Sequence, residues 1–164
     1  MRYAVERHDW SAATSLEPLP QSAPHVAAIV YWARAVAQAR TGHVPEASAE
    51  LGRLDACLLQ LRAAGDSYWA TQVEVLGKEA NAWRLQAQGK GDEAVDLLRS
   101  AADQEDAVEK LPVTPGPVVP AREQLEELLF GLKRPKDALR KFQSALAAAP
   151  GRRGALHGAI EAAK

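Results

Sequence analysis

Apolar residues recur along this chain at helical spacing, and glycine and proline divide the pattern into segments. Ile29, Trp32, Ala33, Val36 and Ala39 form one stripe between Pro24 and Gly42. Pro45 suits the opening of a second helix, where a missing N–H would be unpaired in any case. Ala47, Leu51, Leu54, Leu58 and Leu61 carry that helix to Ala64-Gly65. Asp66 can cap a third helix bearing Trp69, Val73, Leu76, Ala80, Trp83 and Ala87, stopped by Gly89 and Gly91. Asp92 can cap a fourth, with Val95, Leu98, Ala102 and Val108. Leu111 to Pro120 holds four prolines in ten residues, which excludes a helix there. Pro120 opens a fifth helix through Leu125, Leu128, Leu129 and Leu132, and Pro135 a sixth through Ala138, Leu139, Phe142 and Leu146. Arg152 to Lys164 starts one more. The pattern predicts an all-α chain of about seven helices.

Composition agrees and narrows the function. The 164 residues suit a single domain. Alanine supplies 33 of them, whereas Val, Ile and Thr together supply only 18, too few for a sheet-rich fold. Lys and Arg total 20 against 21 Asp and Glu, so no basic excess exists to neutralise a nucleic acid or an acidic membrane surface. Ala23 to Ala39 is the most apolar window, but it contains His25 and Arg34 and falls short of the roughly 20 clean residues of a membrane span. The opening MRYAVERHDW is charged and lacks the apolar core of a signal peptide. Cys57 is the only cysteine, which excludes an internal disulfide and a cysteine zinc set and points to a cytoplasmic address.

Catalytic chemistry finds little support. His8, His25, His43 and His157 are scattered, and no two share a helix face at metal-ligand spacing. His43 with Glu46 and Glu50 reads as a loop histidine beside a solvated acidic helix start. Glu105, Asp106 and Glu109 read as a solvated face rather than an acid–base pair. Ser67 and Ser100 lack a nucleophile-elbow context, and Gly89-Lys90-Gly91 is a helix stop rather than a phosphate cradle. The expectation is a non-enzyme with no cofactor and no metal.

Four corners resemble one another: His8-Asp9-Trp10-Ser11-Ala12-Ala13, Gly42 to Ala47, Gly89 to Ala94, and Lys133 to Ala138. In each, an alanine follows the turn by five residues, where a small side chain lets the second helix cross tightly over the first. Ala13, Ala47, Ala94 and Ala138 are spaced by 34, 47 and 44 residues. These corners, with Leu125, Leu129, Phe142, Ala145 and Pro150 around the last of them, resemble the tetratricopeptide-repeat family, whose unit is a 34-residue helix-turn-helix. The stretches Tyr68 to Glu74 and Glu105 to Glu123 are similar to the C-terminal repeat region of bacterial members. Lys133 replaces the family's corner glycine, and Glu126 stands where a small residue is usual.

The resemblance implies a right-handed α-solenoid with a partial unit at 1–22, pairs at 24–64, 66–110 and 120–150, and a terminal helix at 152–164. It implies a fragment-like unit, with both ends inside repeats. It also implies a concave groove lined by the first helix of each pair. Counting from the alanines puts Trp32, Val36 and Arg40 on that face, then Glu79, Trp83 and Gln86, then Glu123, Glu127 and Phe130. Trp32 and Trp83 could equally fill the seam between pairs. Lysine and asparagine, which clamp a peptide's terminal carboxylate in some members, are replaced by Trp32, Val36, Glu79 and Glu123. Each adjacent pair, Tyr31-Trp32 and Tyr68-Trp69, should send one ring to the core and leave the other near the surface, because neighbours on a helix point about 100° apart.

The expected function is a non-catalytic scaffold that binds a protein or peptide segment in the groove. Homodimerisation through incomplete end repeats is one alternative. A small-molecule sensor is another, and would need an enclosed pocket between the Trp69 and Trp83 turns. Leu111 to Pro120 reads as a rigid connector, although its proline spacing also permits a ligand for another domain.

Overall fold

A computed structural model describes residues 2–108 and 116–133. Among them the chain is all-helical, with seven helices and no strand. These are α1 (Arg2–Glu6), α2 (Trp10–Thr14), α3 (Pro24–Arg40), α4 (Val44–Ala63), α5 (Ser67–Ala87), α6 (Gly91–Ala107) and α7 (Ala121–Gly131). The sixth and last helices expected from Pro135 onward, with Ala138, lie outside the described residues, as does the first half of the proline-rich stretch. Residues 116–120 are non-helical, as the proline-rich sequence predicts. No helix among the described residues is long and apolar enough to cross a membrane.

One backbone device ends most of these helices. His8, Gly42, Gly65, Gly89 and Lys133 all take positive φ, between 56° and 83°. In four of these corners the next amide reaches back five residues: Asp9 N donates to Ala4 O at 2.8 Å, and His43 N to Gln38 O at 2.8 Å. Asp66 N donates to Leu61 O at 3.0 Å, and Lys90 N to Leu85 O at 3.0 Å. This is the Schellman arrangement, which satisfies otherwise orphaned carbonyls at a helix C-terminus. Five residues after each of these turns stands a buried alanine: Ala13, Ala47, Ala70 and Ala94. The corner resemblance thus has a shared geometry, and it extends to Gly65-Ala70, which sequence comparison passed over.

Start signals hold with small shifts. Asp66 accepts from Trp69 N at 3.2 Å and caps α5, and Asp9 accepts from Ala12 N at 3.0 Å and caps α2. Asp92 does not cap α6: Lys90 occupies that position and Asp92 falls in the first turn, where its charge still favours the helix dipole. Pro120 gives α7 no side-chain cap, and Glu105 of α6 supplies one by accepting from Ala121 N at 3.0 Å. Glu105 therefore ties two helices together, a role the reading of a solvated face missed.

Each helix packs against its neighbour in sequence, and α3–α5 and α5–α7 also pack on each other. Alanines make these approaches close: Ala28, Ala33, Ala35, Ala80, Ala82 and Ala101 are all fully buried. Trp32, Leu54, Leu98, Leu125 and Leu128 fill the spaces between them. Gly77 brings α5 against α4, where an added Cβ would stand 3.3 Å from Leu54 Cδ2. Three glutamates, Glu50, Glu79 and Glu126, also lie inside. Glu50 is 4% exposed and accepts from both Arg34 and Arg53, while Arg34 reaches on to Glu17 and Leu16 O. Glu50 is thus a buried link between α3 and α4 and not part of a solvated helix start.

Candidate functional site

The nine residues expected along a groove divide between core and surface. Trp32 is 0% exposed, Val36 and Trp83 are buried, and Glu79 is 1% exposed. The helical stripe that carries them faces the next helix rather than solvent, because α3 packs on α5 and α5 on α7. The large indoles occupy the room that the facing alanines leave. Arg40, Gln86, Glu123 and Glu127 are half-buried, and Phe130 is exposed. Tyr31 stays half-buried beside buried Trp32, as the two-direction argument requires. Tyr68 and Trp69 are both half-buried and meet edge to face at 5.2 Å, with His25 stacked on Trp69 at 4.2 Å.

Glu79 is the unusual member of the buried set. Its carboxyl is pushed well above the ordinary value of 4.5 by burial, and further by the charge of Glu105. Trp32 and Gln124 approach closely enough to oppose that shift. Neither Glu79 oxygen nor the Trp32 Nε1, however, reaches a hydrogen bond of regular geometry. Gln124 is committed elsewhere: it accepts from Trp83 Nε1 at 2.9 Å and donates to Val119 O at 3.0 Å. This polar knot pins α7 onto the α5 tryptophan.

Above it, the half-buried residues converge on Arg40. Its guanidinium carbon lies 4.3 Å from the centre of the Trp83 ring and 5.3 Å from that of Trp10. Arg40 Nη1 donates to Glu127 Oε1, and His8 Nε2 lies 3.6 Å from the same oxygen. His8 in turn stacks on Trp10 at 4.9 Å. Five elements meet here: the α1–α2 turn, α2, the last turn of α3, α5 with Trp83, and α7. Arg40 sits where the α3 dipole favours a cation. A guanidinium between indole faces with one carboxylate on its edge can recognise carboxylates, since the rings restrict it and shield it from water.

Of the nine, Arg40, Trp83 and Glu127 are brought together, in contact through Arg40. Trp10 and His8 were not expected there. Their signal lies in the His8-Asp9-Trp10 corner, in the shortened unit that precedes Trp32. No group of three or more His, Cys, Asp or Glu among the described residues could hold a metal ion. Between the Trp69 and Trp83 turns, where a sensor would need an enclosed pocket, α4, α5 and α6 border an open groove of about 460 Å³.

Comparison with protein-family models, curated proteins and solved structures returns no match to this chain.

Proposed function

We propose that this chain is a non-catalytic helical-repeat scaffold of the tetratricopeptide kind, and that it holds a carboxylate-bearing protein segment against Arg40. In this reading α3–α4 and α5–α6 are antiparallel pairs stacked as a right-handed solenoid, with α1–α2 a shortened pair and α7 opening the next. Support comes from the recurring Schellman turn with its alanine five residues on, and from helix packing that runs chiefly between near neighbours in sequence. A cytoplasmic setting suits a chain whose single thiol, Cys57, is buried.

The observation that carries the binding role is the Trp10–Arg40–Trp83 stack with Glu127 on its edge. Arginine and tryptophan are the residues that most often anchor protein interfaces. Glu127 occupies the position that a partner's Asp, Glu or chain terminus would take, and it is exposed enough to be displaced. Phe130, 43% exposed one turn further along α7, offers an apolar contact beside it.

The test is selection of binders from a displayed library of random short peptides, followed by titration of the best one. Selected peptides carry an acidic residue, and Arg40→Ala weakens them at least tenfold, equivalent to about 1.4 kcal/mol. Arg40→Lys does not restore binding, because lysine lacks the flat, forked cation that stacks and chelates. A melting curve establishes that both variants remain folded. Selection that yields no binder, or binding indifferent to Arg40→Ala, contradicts the proposal.

A further inference from the structure

The groove between α4 and α5, distinct from the Arg40 face, carries its own charge pattern. Leu54 meets Gly77, and Arg62 pairs with Glu74 at 2.9 Å, so the facing register brings the Ser48 end of α4 beside Arg84 of α5. Leu51 and Leu58 of α4 and Leu97 of α6 contribute apolar surface to the lining. Gly52 opens it in the middle: a Cβ there would meet nothing within 4 Å.

The cations of this groove differ from most of the arginines among the described residues. Arg34, Arg40, Arg53, Arg62, Arg99 and Arg122 each pair with a carboxylate. Arg84 instead rests on a neutral amide, donating from Nε and Nη2 to Asn81 Oδ1 at 3.0 and 2.7 Å. That contact fixes the guanidinium and leaves Nη1 with no partner among the described residues. Lys78 likewise holds only neutral acceptors on α6, Gln104 Oε1 at 2.6 Å and Ser100 Oγ at 3.1 Å. Asp55 lines the opposite wall, roughly level with Leu76 when Leu54 faces Gly77. Along the groove, Asp55 and Arg84 are therefore separated by about eight residues of rise, or about 12 Å.

We propose that this groove is a second binding surface, and that it takes one face of a partner helix bearing an acidic, an apolar and a basic residue at steps of four. In such a helix the acid and the base stand about 12 Å apart, matching Arg84 and Asp55, and the apolar residue between them descends onto Gly52. Complementary charges at both ends fix the helix's direction, and the leucine methyls supply the desolvated contact. The site is independent of Arg40 and stands if that face binds nothing.

The probe is a blocked, alanine-rich synthetic helix with Glu, Leu and Lys at i, i+4 and i+8, titrated into the full chain and followed by two-dimensional amide NMR. Glycine amides occupy a separate spectral region, so Gly52 and Gly77 report directly. The expected result is saturable shifts at both, abolished by replacing the probe's Glu with Gln or its Leu with Ala. Arg84→Gln in the protein weakens the probe at least fivefold. Gly52→Leu fills the groove from within and removes binding; a melting curve checks its fold, and Arg84→Gln and Asp55→Asn test the same claim should it fail to fold. Shifts elsewhere, no saturable shifts, or equal affinity for the wild type and Arg84→Gln each overturn the proposal.

Discussion

Glu79 offers a test in which chemistry and packing can be separated. Its carboxyl lies in the core beside Trp32 and Gln124, with Glu105 adding repulsion to the desolvation, so the folded chain favours the protonated form. The folded-state pKa is raised above the ordinary 4.5 that applies when the chain is unfolded. The stability linked to this proton is fully present below the unfolded value and is lost as pH rises toward the folded value. Within that window the loss approaches about 1.4 kcal/mol per pH unit. Glu79→Gln keeps the shape and stays neutral, so it escapes this loss. Any fixed difference in hydrogen bonding between amide and acid shifts its curve without changing its slope. Other titrating groups are common to both proteins and cancel, and Glu105 senses Glu79 only when Glu79 is charged. Urea unfolding of both chains across the pH range, at constant ionic strength, gives the comparison. The variant should gain on the wild type steadily as pH rises from about 5, at close to the stated slope until the folded value is reached. Parallel stability curves would show that Glu79 is ionised in the folded chain and that the account of its surroundings is wrong.

Other substitutions probe other contacts, each by chemical denaturation. Gly91→Ala should stabilise the chain by less than the roughly 1 kcal/mol of an unhindered glycine-to-alanine change, because its Cβ would stand 2.9 Å from Leu132 Cδ2 and the leucine tip must turn aside. Gly52→Ala meets no atom and should stabilise by about 1 kcal/mol. Lys133→Gly relieves a side chain from φ 58° and should add roughly 1 kcal/mol; a loss would show that the lysine has a packing role. Glu50→Ala takes one carboxylate from Arg34, which keeps Glu17 and Leu16 O, and should remove about 2 kcal/mol, part of which the double change with Arg34→Met restores.

The helices were legible because glycine, proline and apolar spacing act locally. Pro24, Gly42, Gly65 and Gly89 bracket α3, α4 and α5 where the spacing places them, within a residue or two. The corners were legible for the same reason, although His8 and Lys133 hide the positive φ that glycine elsewhere announces. Facing directions were harder. Trp32 and Glu79 sit on the stripe that repeat counting assigned to a groove, yet the alanines of the neighbouring helix let that stripe close into a seam. Whether a stripe faces solvent or another helix depends on side chains tens of residues away. Trp10 joins Arg40 across the α2–α3 connection and Glu127 joins it from α7; neither contact leaves a periodic trace. Glu50 appears solvated in a sequence because Arg34 lies on a different helix.

The most direct test of the proposed binding role is the affinity of a selected acidic peptide for Glu127→Gln compared with the wild type. Glu127 is the carboxylate that holds Arg40 in the unbound chain, so removing its charge frees the cation for the partner. The account predicts tighter binding by the variant, with the added affinity lost again when Arg40→Ala is combined with it. Unchanged or weaker binding would contradict it, because Arg40 would then not be the group that receives the partner's carboxylate.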